Sequence, residues 1–447
     1  MIILKKNKSM YLSWLQEVCN QPSVSTQNRG MKEMIELVKK HLKTTSAEIV
    51  EIETDGYPVI FGEIDGRRER TLTFYNHYDV QPEDPIDLWE SDPFKTEFRD
   101  GLIFARGVAD NKGNLMARIC AIHAYQQVYG NLPLNIKFIF EGEEEIGSPH
   151  LEQFADQHPE KMSTDGIIWE GGTKGVFDGK LHVGLGVKGM CYVELTAKGA
   201  NSDLHSSEAA VIENPAWRLI WALNTIKNDD EVILIDGFYD NIKPSSILEN
   251  EYLNLMDYKE EELLEKYGLK NFLLNLSGQE LKNKLLFQPT CTICGIDSGY
   301  TDVGSKTVLP SIAKVKLDFR LVPDQEPEEI LQLLRNHLNQ QGYEDIEIDF
   351  LNGIQPFKTD PGDPLAETVL NNVQKVYDKP PKVLVNLAGS SPMYKLCKKD
   401  NIPAVQIGVA NDQSNYHAPN ENIFVKDYMD GIKMTATVMH EFAKVKS

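Results

Sequence analysis

Histidine and carboxylate side chains recur in this sequence just after apolar runs, a placement that suits binding of divalent cations. His77 and Asp79 sit at the end of the run Thr71–Tyr78, and side chains two apart on a strand share a face. A metal-ligating imidazole takes a carboxylate behind it, which fixes its tautomer and ring orientation. Asp79 can do this for His77. Asp110 lies in Ala105-Arg106-Gly107-Val108-Ala109-Asp110-Asn111-Lys112-Gly113, ahead of a helix. Its two oxygens can bridge two cations about 3.5–4 Å apart. Glu141-Gly142-Glu143-Glu144-Glu145 comes directly after an apolar strand. Neighbouring glutamates there can divide the work, one binding metal and one staying free as general base. Glu170 comes directly after Asp165-Gly166-Ile167-Ile168-Trp169, and His417 lies in Asn415-Tyr416-His417-Ala418-Pro419-Asn420-Glu421.

Each of these has an ordinary explanation when taken singly: a hydrogen-bonded strand-end histidine, a polar turn, a solvated acidic face. Their common placement changes the weighting. Open α/β sheets bind ligands at the carboxyl ends of their strands. Crowded carboxylates repel, and cations relieve that repulsion. Two imidazoles with four or five carboxylates suit a carboxylate-rich binuclear zinc site.

The elements that must position these residues can be read from periodicity. Residues 10–43 carry apolar positions at helical spacing. Ala47–Glu53, Val59–Glu63 and Thr71–Tyr78 read as strands. Residues 114–129 read as a helix, and Leu134–Phe140 and Gly166–Trp169 as buried strands. Strands alternating with helices predict an α/β sheet flanked by helices. Near residue 188 the pattern changes to Met190–Ala197 (strand), Pro215–Lys227 (helix), Thr290–Gly295 and Ala313–Val322 (strands), Glu326–Gln340 (helix) and Asp345–Leu351 (strand). This β-α-β-β-α-β order is the ferredoxin-like split unit. The charged, Leu-rich stretch 228–289 reads as an insertion within it. Lys382–Leu387 and Ala404–Gly408 then resume as strands, and Asp427–Lys444 closes as a helix. The expected organisation is a larger domain of residues 1–188 and 353–447, interrupted by a smaller one of residues 189–352.

The chain has 447 residues and a net charge of −21, which argues against nucleic acid and anionic membrane as partners, since both need basic patches. No apolar run is long enough to span a bilayer. Met1–Lys6 has neither the length nor the order of a secretory signal. The six cysteines are scattered, which points to a reducing, cytoplasmic setting. Cys291 and Cys294 form a C-x-x-C without the second pair that a zinc knuckle needs.

The ordered motifs from Tyr75 to Asn422 resemble the M20 family of metallopeptidases, a group of carnosinase-like dipeptidases, carboxypeptidases and N-acyl amino-acid deacylases. The resemblance implies a zinc-exopeptidase-like catalytic domain with a mixed sheet, and an inserted α+β lid that also forms a homodimer. It implies two divalent metal ions per subunit, with zinc, manganese and cobalt all suited to the donors. His77, Asp110, Glu145, Glu170 and His417 would be the ligands, with Asp110 bridging. Asp79 would support His77, and Glu144 would be the general base that works with metal-bound hydroxide. His205, in Ser202-Asp203-Leu204-His205-Ser206, would reach across the dimer to stabilise the transition-state oxygen. Arg320, in Leu317-Asp318-Phe319-Arg320, would bind the substrate carboxylate. Thr307, Gly389 and Ser390 would make further substrate contacts.

The implied activity is hydrolysis of an amide bond next to a free C-terminal carboxylate, in dipeptides or short peptides. The alternative is a deacylase, amidase or carboxypeptidase acting on N-acyl or N-blocked amino acids. Asn111 stands where the family often has aspartate, and a cis peptide is implied before it. Glu170 resembles the carboxypeptidase and deacylase members, whereas the 228–289 insertion and Lys306-Thr307-Val308 resemble carnosinase. The substrate class stays open between these two.

Overall fold

Apolar and β-branched residues dominate Thr71–His77 and Asn135–Glu141, and each forms a strand with every residue but the first buried. They pair in parallel, with His77 opposite Glu141, so their carboxyl ends lie side by side. A computed structural model of the chain describes residues 2–446. It places these two strands inside an eight-stranded sheet. The order across it is Glu48–Ile52, Val59–Ile64, Asn135–Glu141, Thr71–His77, Ile167–Trp169, Ala404–Gln406, His182–Gly184, Lys382–Leu384. Ile167–Trp169 and Ala404–Gln406 continue the parallel set, while Val59–Ile64 pairs antiparallel with both of its neighbours. The sheet is therefore mixed.

The helix Lys112–Tyr129 is buried along most of its length, including Leu115, Met116, Ile119, Cys120 and Ile122. A helix apolar on all sides needs cover on all sides. It packs against the strand Thr71–His77 and against the helices Ile2–Asn20 and Val425–Phe442. The first helix starts well before residue 10. Its buried positions begin only at Tyr11 and continue through Leu15, Val18 and Cys19, so the helical period is visible only from there.

The chain divides into two compact units, one of Met1–Gly186, Lys358–Val385 and Lys395–Ser447, the other of Val187–Phe357 and Asn386–Tyr394. The second unit holds a four-stranded antiparallel sheet in the order Thr290–Ser298, Ile312–Leu321, Gly189–Lys198, Glu347–Ile354, the ferredoxin-like arrangement. Cys191, Val193, Leu195 and Ala197 alternate onto one face with Val315, Leu317 and Phe319, and the helices Pro215–Ile226 and Pro327–Gln340 cover it with Leu219, Ala222, Ile330 and Leu334. The stretch 228–289 contributes the helices Ile247–Leu255, Glu260–Tyr267 and Gly278–Phe287. The strand expected over Lys382–Leu387 stops at Leu384. Beyond it Asn386 Nδ2 donates to Leu286 O at 2.8 Å, and Lys188 N donates to Gly389 O at 2.9 Å, bonds that belong to the second unit. Among the described residues no helix is long and apolar enough to cross a membrane. All six cysteines are free.

One close crossing sets the backbone beneath Glu170. A Cβ on Gly408 would stand 2.1 Å from Gly171 O and 2.4 Å from Gly172 O. Backbone cannot yield as a side chain can, so Gly408→Ala should cost about 1–3 kcal/mol of stability. Urea unfolding followed by circular dichroism checks this, and an unchanged midpoint would contradict the crossing.

Candidate metal centre

Three neighbouring parallel strands end at one edge of the larger unit's sheet, and each delivers an acid or an imidazole there. His77 is the last residue of its strand, Glu170 comes directly after Trp169, and Glu144 and Glu145 open a short 3-10 helix after Glu141. Asp110 and His417 come from loops. The Asp110–Asn111 peptide is cis, and His417 has a φ of +56°, a left-handed conformation in which histidine is one of the more frequent non-glycine residues.

Asp110 is the centre of the cluster. Its Oδ1 lies 3.1 Å from His77 Nε2 and its Oδ2 lies 3.1 Å from His417 Nε2. Each imidazole nitrogen also meets one glutamate. His77 Nε2 is 3.3 Å from Glu170 Oε2, and His417 Nε2 is 3.3 Å from Glu145 Oε2. Ligand atoms of His77, Asp110 and Glu145 all lie within 4.8 Å of one another. Behind His77, Nδ1 is 3.2 Å from Asp79 Oδ1 and 3.1 Å from Asp79 O. That leaves Nε2 as the nitrogen facing the cluster. The Asp79 carboxylate also accepts from Glu144 N and Glu145 N, at 3.3 and 3.1 Å, so it holds the acidic turn as well as the ring.

The acidic run separates into distinct jobs. Glu141 is buried and accepts from the Tyr75 hydroxyl and, at 2.8 Å, from Ser148 Oγ. Glu143 meets His150 Nδ1 at 2.8 Å. Glu145 accepts from Gln81 N and Gln81 Nε2. Glu144 has none of these partners.

Electrostatics arise from crowding. Burial pushes the Glu144 carboxyl well above its ordinary value, and the negative charges of Glu170 and Asp110 add to this. Glu170 is raised by burial and by Asp110 and Glu145, against the pull of His77. Asp110 goes the other way: burial would raise it, but His417 and His77 hold it well below the usual carboxylate range. His417 is pushed up to about 10 by hydrogen bonds to Asp110 and Glu145. Both rings thus sit among anions that favour a cation at Nε2. A metal ion competes with a proton for that lone pair. The donor chemistry of two imidazoles and three carboxylates, with ring orientation set from behind, fits divalent metal.

The remaining predicted residues lie in the smaller unit. The two-residue strand Leu204–His205 pairs with Val308–Leu309, which brings His205 Nε2 to 3.5 Å from Thr307 Oγ1. His205 Nδ1 accepts from Ser207 N at 3.2 Å. Arg320 Nε donates to Asp318 Oδ2 at 2.9 Å, and its Nη1 donates to Ser390 Oγ at 3.0 Å. Gly389 O accepts from Lys188 N, which fixes the turn that carries Ser390. The described structure thus gathers these residues into two groups within this unit.

Sequence reasoning passed over Glu421 and Gln81. Glu421 is fully buried and accepts from Gly107 N, Ala109 N and Asp110 N at 2.8, 2.8 and 3.0 Å, and from Arg106 Nη1 at 2.8 Å. It is the anchor of the Asp110 loop. An acid four residues after the candidate ligand His417 was the available signal. Gln81 continues the every-second-residue series 77, 79, 81, which could have identified it.

The sequence profile of peptidase family M20/M25/M40 matches residues 73–441. The chain belongs to that family. It is a metal-dependent hydrolase. This M20 peptidase is 27% identical over 474 residues to the Cys-Gly metallodipeptidase dug1 of Schizosaccharomyces pombe, covering 99% of this chain and 98% of that protein. It is 27% identical over 405 residues to the human Beta-Ala-His dipeptidase, covering 87% and 78%. Among solved structures it resembles the M20 metallo-carboxypeptidase of Sulfolobus solfataricus, with 37% identity, a TM-score of 0.89, and 97% and 99% of the two chains covered. Human carnosine dipeptidase 1 matches with 25% identity, a TM-score of 0.74, and 99% and 98% covered.

Removing the Glu421 carboxylate strands the buried guanidinium of Arg106 and frees three backbone donors. Glu421→Ala should lose roughly 3–5 kcal/mol of stability, and the folded fraction should bind less metal because Asp110 is no longer held. Calorimetry together with metal analysis reads both effects; full stability with full metal content would refute this anchoring role.

Proposed function

We propose that this M20 peptidase is a two-metal exopeptidase that hydrolyses the amide bond of dipeptides or short peptides next to a free C-terminal carboxylate. The observation that carries the reading is Asp110, whose two oxygens face two different imidazoles, each with its own glutamate. His77, Asp110 and Glu170 would hold one cation; Asp110, Glu145 and His417 would hold the other. Zinc suits this set, and manganese or cobalt accept the same donors. When bound, two such cations supply an activated water and a polarised scissile carbonyl.

The chain's own groups do the rest. Asp79 keeps the His77 ring turned toward the cluster. Glu144, which shares the turn with Glu145 but lacks its hydrogen-bond partners, takes the proton of the attacking water and delivers it to the leaving amine. Arg320 receives the substrate carboxylate. Its Nε is committed to Asp318 and one Nη1 hydrogen to Ser390 Oγ, so Nη2 and the second Nη1 hydrogen remain for the carboxylate. His205 Nδ1 accepts the Ser207 N–H, so Nε2 carries the proton and can donate to a developing oxyanion. Thr307, Gly389 and Ser390 line the same two groups of the smaller unit. That unit would act as a lid, and a homodimer joined through it would let His205 serve the partner's centre.

A second reading is cleavage of N-acyl or N-blocked amino acids, as a carboxypeptidase or deacylase. Glutamate at position 170 favours it, as does the 37% identity to a metallo-carboxypeptidase over nearly the whole chain. A substrate panel on metal-reconstituted protein separates the two. The first reading expects turnover of free dipeptides; hydrolysis of blocked substrates alone would overturn it. Glu144→Ala should lower kcat by roughly 10²–10⁴ with metal content per chain unchanged. Retained turnover would remove Glu144 from the base role.

A further inference from the structure

The two glutamates that flank Asp110 are held in the same way, each by an uncharged amide. Glu170 Oε2 accepts from Asn111 Nδ2 at 2.7 Å. Asn111 Oδ1 in turn accepts from Asn76 Nδ2 at 2.5 Å. That second bond decides which way the Asn111 amide points. With its oxygen taken by a donor, its N–H group must face Glu170. On the other side Glu145 Oε2 accepts from Gln81 Nε2 at 2.9 Å, and Glu145 Oε1 from Gln81 N at 3.2 Å. Gln81 Nε2 also reaches Glu145 O at 3.2 Å, so it grips backbone and side chain together. Asn76 and Asn111 are fully buried.

The choice of an amide has a physical consequence. A lysine or arginine in either place would neutralise the glutamate and compete with a cation for it. An aspartate at 111 would set a second anion against Glu170. An amide N–H orients one carboxylate oxygen and leaves the charge intact. Glutamate has one more side-chain torsion than aspartate, so it has more freedom to lose on binding. A donor that restricts it beforehand lowers that loss. The two amides come from different segments, and each touches one glutamate only.

We propose that Asn111, aimed by Asn76, and Gln81 are positioning residues that set the affinities of the two metal positions separately: Asn111 for the His77–Glu170 position, Gln81 for the His417–Glu145 position. This rests on the two-metal reading above.

The test is a titration of metal-free protein with Zn²⁺ alone against a chromophoric competitor, read as tight equivalents per chain and their affinities. Wild type should take up two equivalents. Asn111→Ala should weaken one of them about 10–100-fold and leave the other, and Gln81→Ala should do the same to the other one. The assignment is checked in a Glu145→Ala background, which keeps the His77–Glu170 position. There Asn111→Ala should still weaken the remaining equivalent, and Gln81→Ala should have no effect. Asn76→Ala should weaken the same equivalent as Asn111→Ala by a smaller factor, and it decides the matter if Asn111→Ala gives no cooperative melt. Unchanged affinities in the Asn111 and Asn76 variants, or equal weakening of both equivalents by one variant, would overturn the proposal. Fewer than two equivalents in wild type would instead refute the two-metal reading, and the positioning role with it.

Discussion

The structure around the site depends on one carboxylate. Asp110 presents an oxygen to each of two imidazoles, and one further carboxylate meets each of the same two nitrogens. Bringing like charges this close is unfavourable unless each is held by directed N–H groups. The surrounding chain supplies them one by one. Glu421 takes the backbone donors of the Asp110 loop, Asp79 takes those of the acidic turn, and the Asn111 and Gln81 amides take Glu170 and Glu145. The buried guanidinium of Arg106 donates to Glu421 beneath the loop rather than to the cluster. The cluster therefore keeps the negative charge that draws a cation.

The sheet explains why residues so far apart in sequence meet. Thr71–His77, Asn135–Glu141 and Ile167–Trp169 run parallel to one another, so the residues after each strand emerge at the same edge. An antiparallel neighbour would have sent Glu144 or Glu170 to the opposite edge. Parallel pairing requires covered crossovers, and the buried helix Lys112–Tyr129 is one of them. Asp110 sits just ahead of that helix, so the element that completes the fold also carries the carboxylate at the centre of the cluster. The glycines at 172 and 408 let two chain segments pass in close contact just after Glu170.

The smaller unit obeys different rules. Its antiparallel sheet buries one face under two helices and leaves the other for polar side chains. Arg320 and Asp318 lie two apart on that other face, so the acid can reach the guanidinium along its own strand. The Arg320–Ser390 contact depends on a chain segment that returns from far along the sequence and is pinned by Lys188 and Asn386.

Much of this was legible in the sequence, because strand and helix periods and apolar runs are local properties. The runs that end in His77, Glu141 and Trp169 identified the strands, and the β-α-β-β-α-β order identified the second unit's sheet. The residue types after those runs identified metal chemistry, since histidine and carboxylates offer the right donors. What tertiary structure decided was pairing. Asp110 and His417 are 307 positions apart, and no local window shows that they share a hydrogen bond. Four acids crowd into residues 141–145, and only the fold distinguishes the one on Tyr75, the one on His150, the one on Gln81 and the one with none of these partners. Glu421 looked like a loop residue because all its partners, the backbone donors at 107, 109 and 110 and the Arg106 guanidinium, lie in another segment. The sequence by itself determined the chemistry available; which oxygen faces which nitrogen was left to long-range packing, because side-chain direction is set by neighbours that the chain brings in from elsewhere.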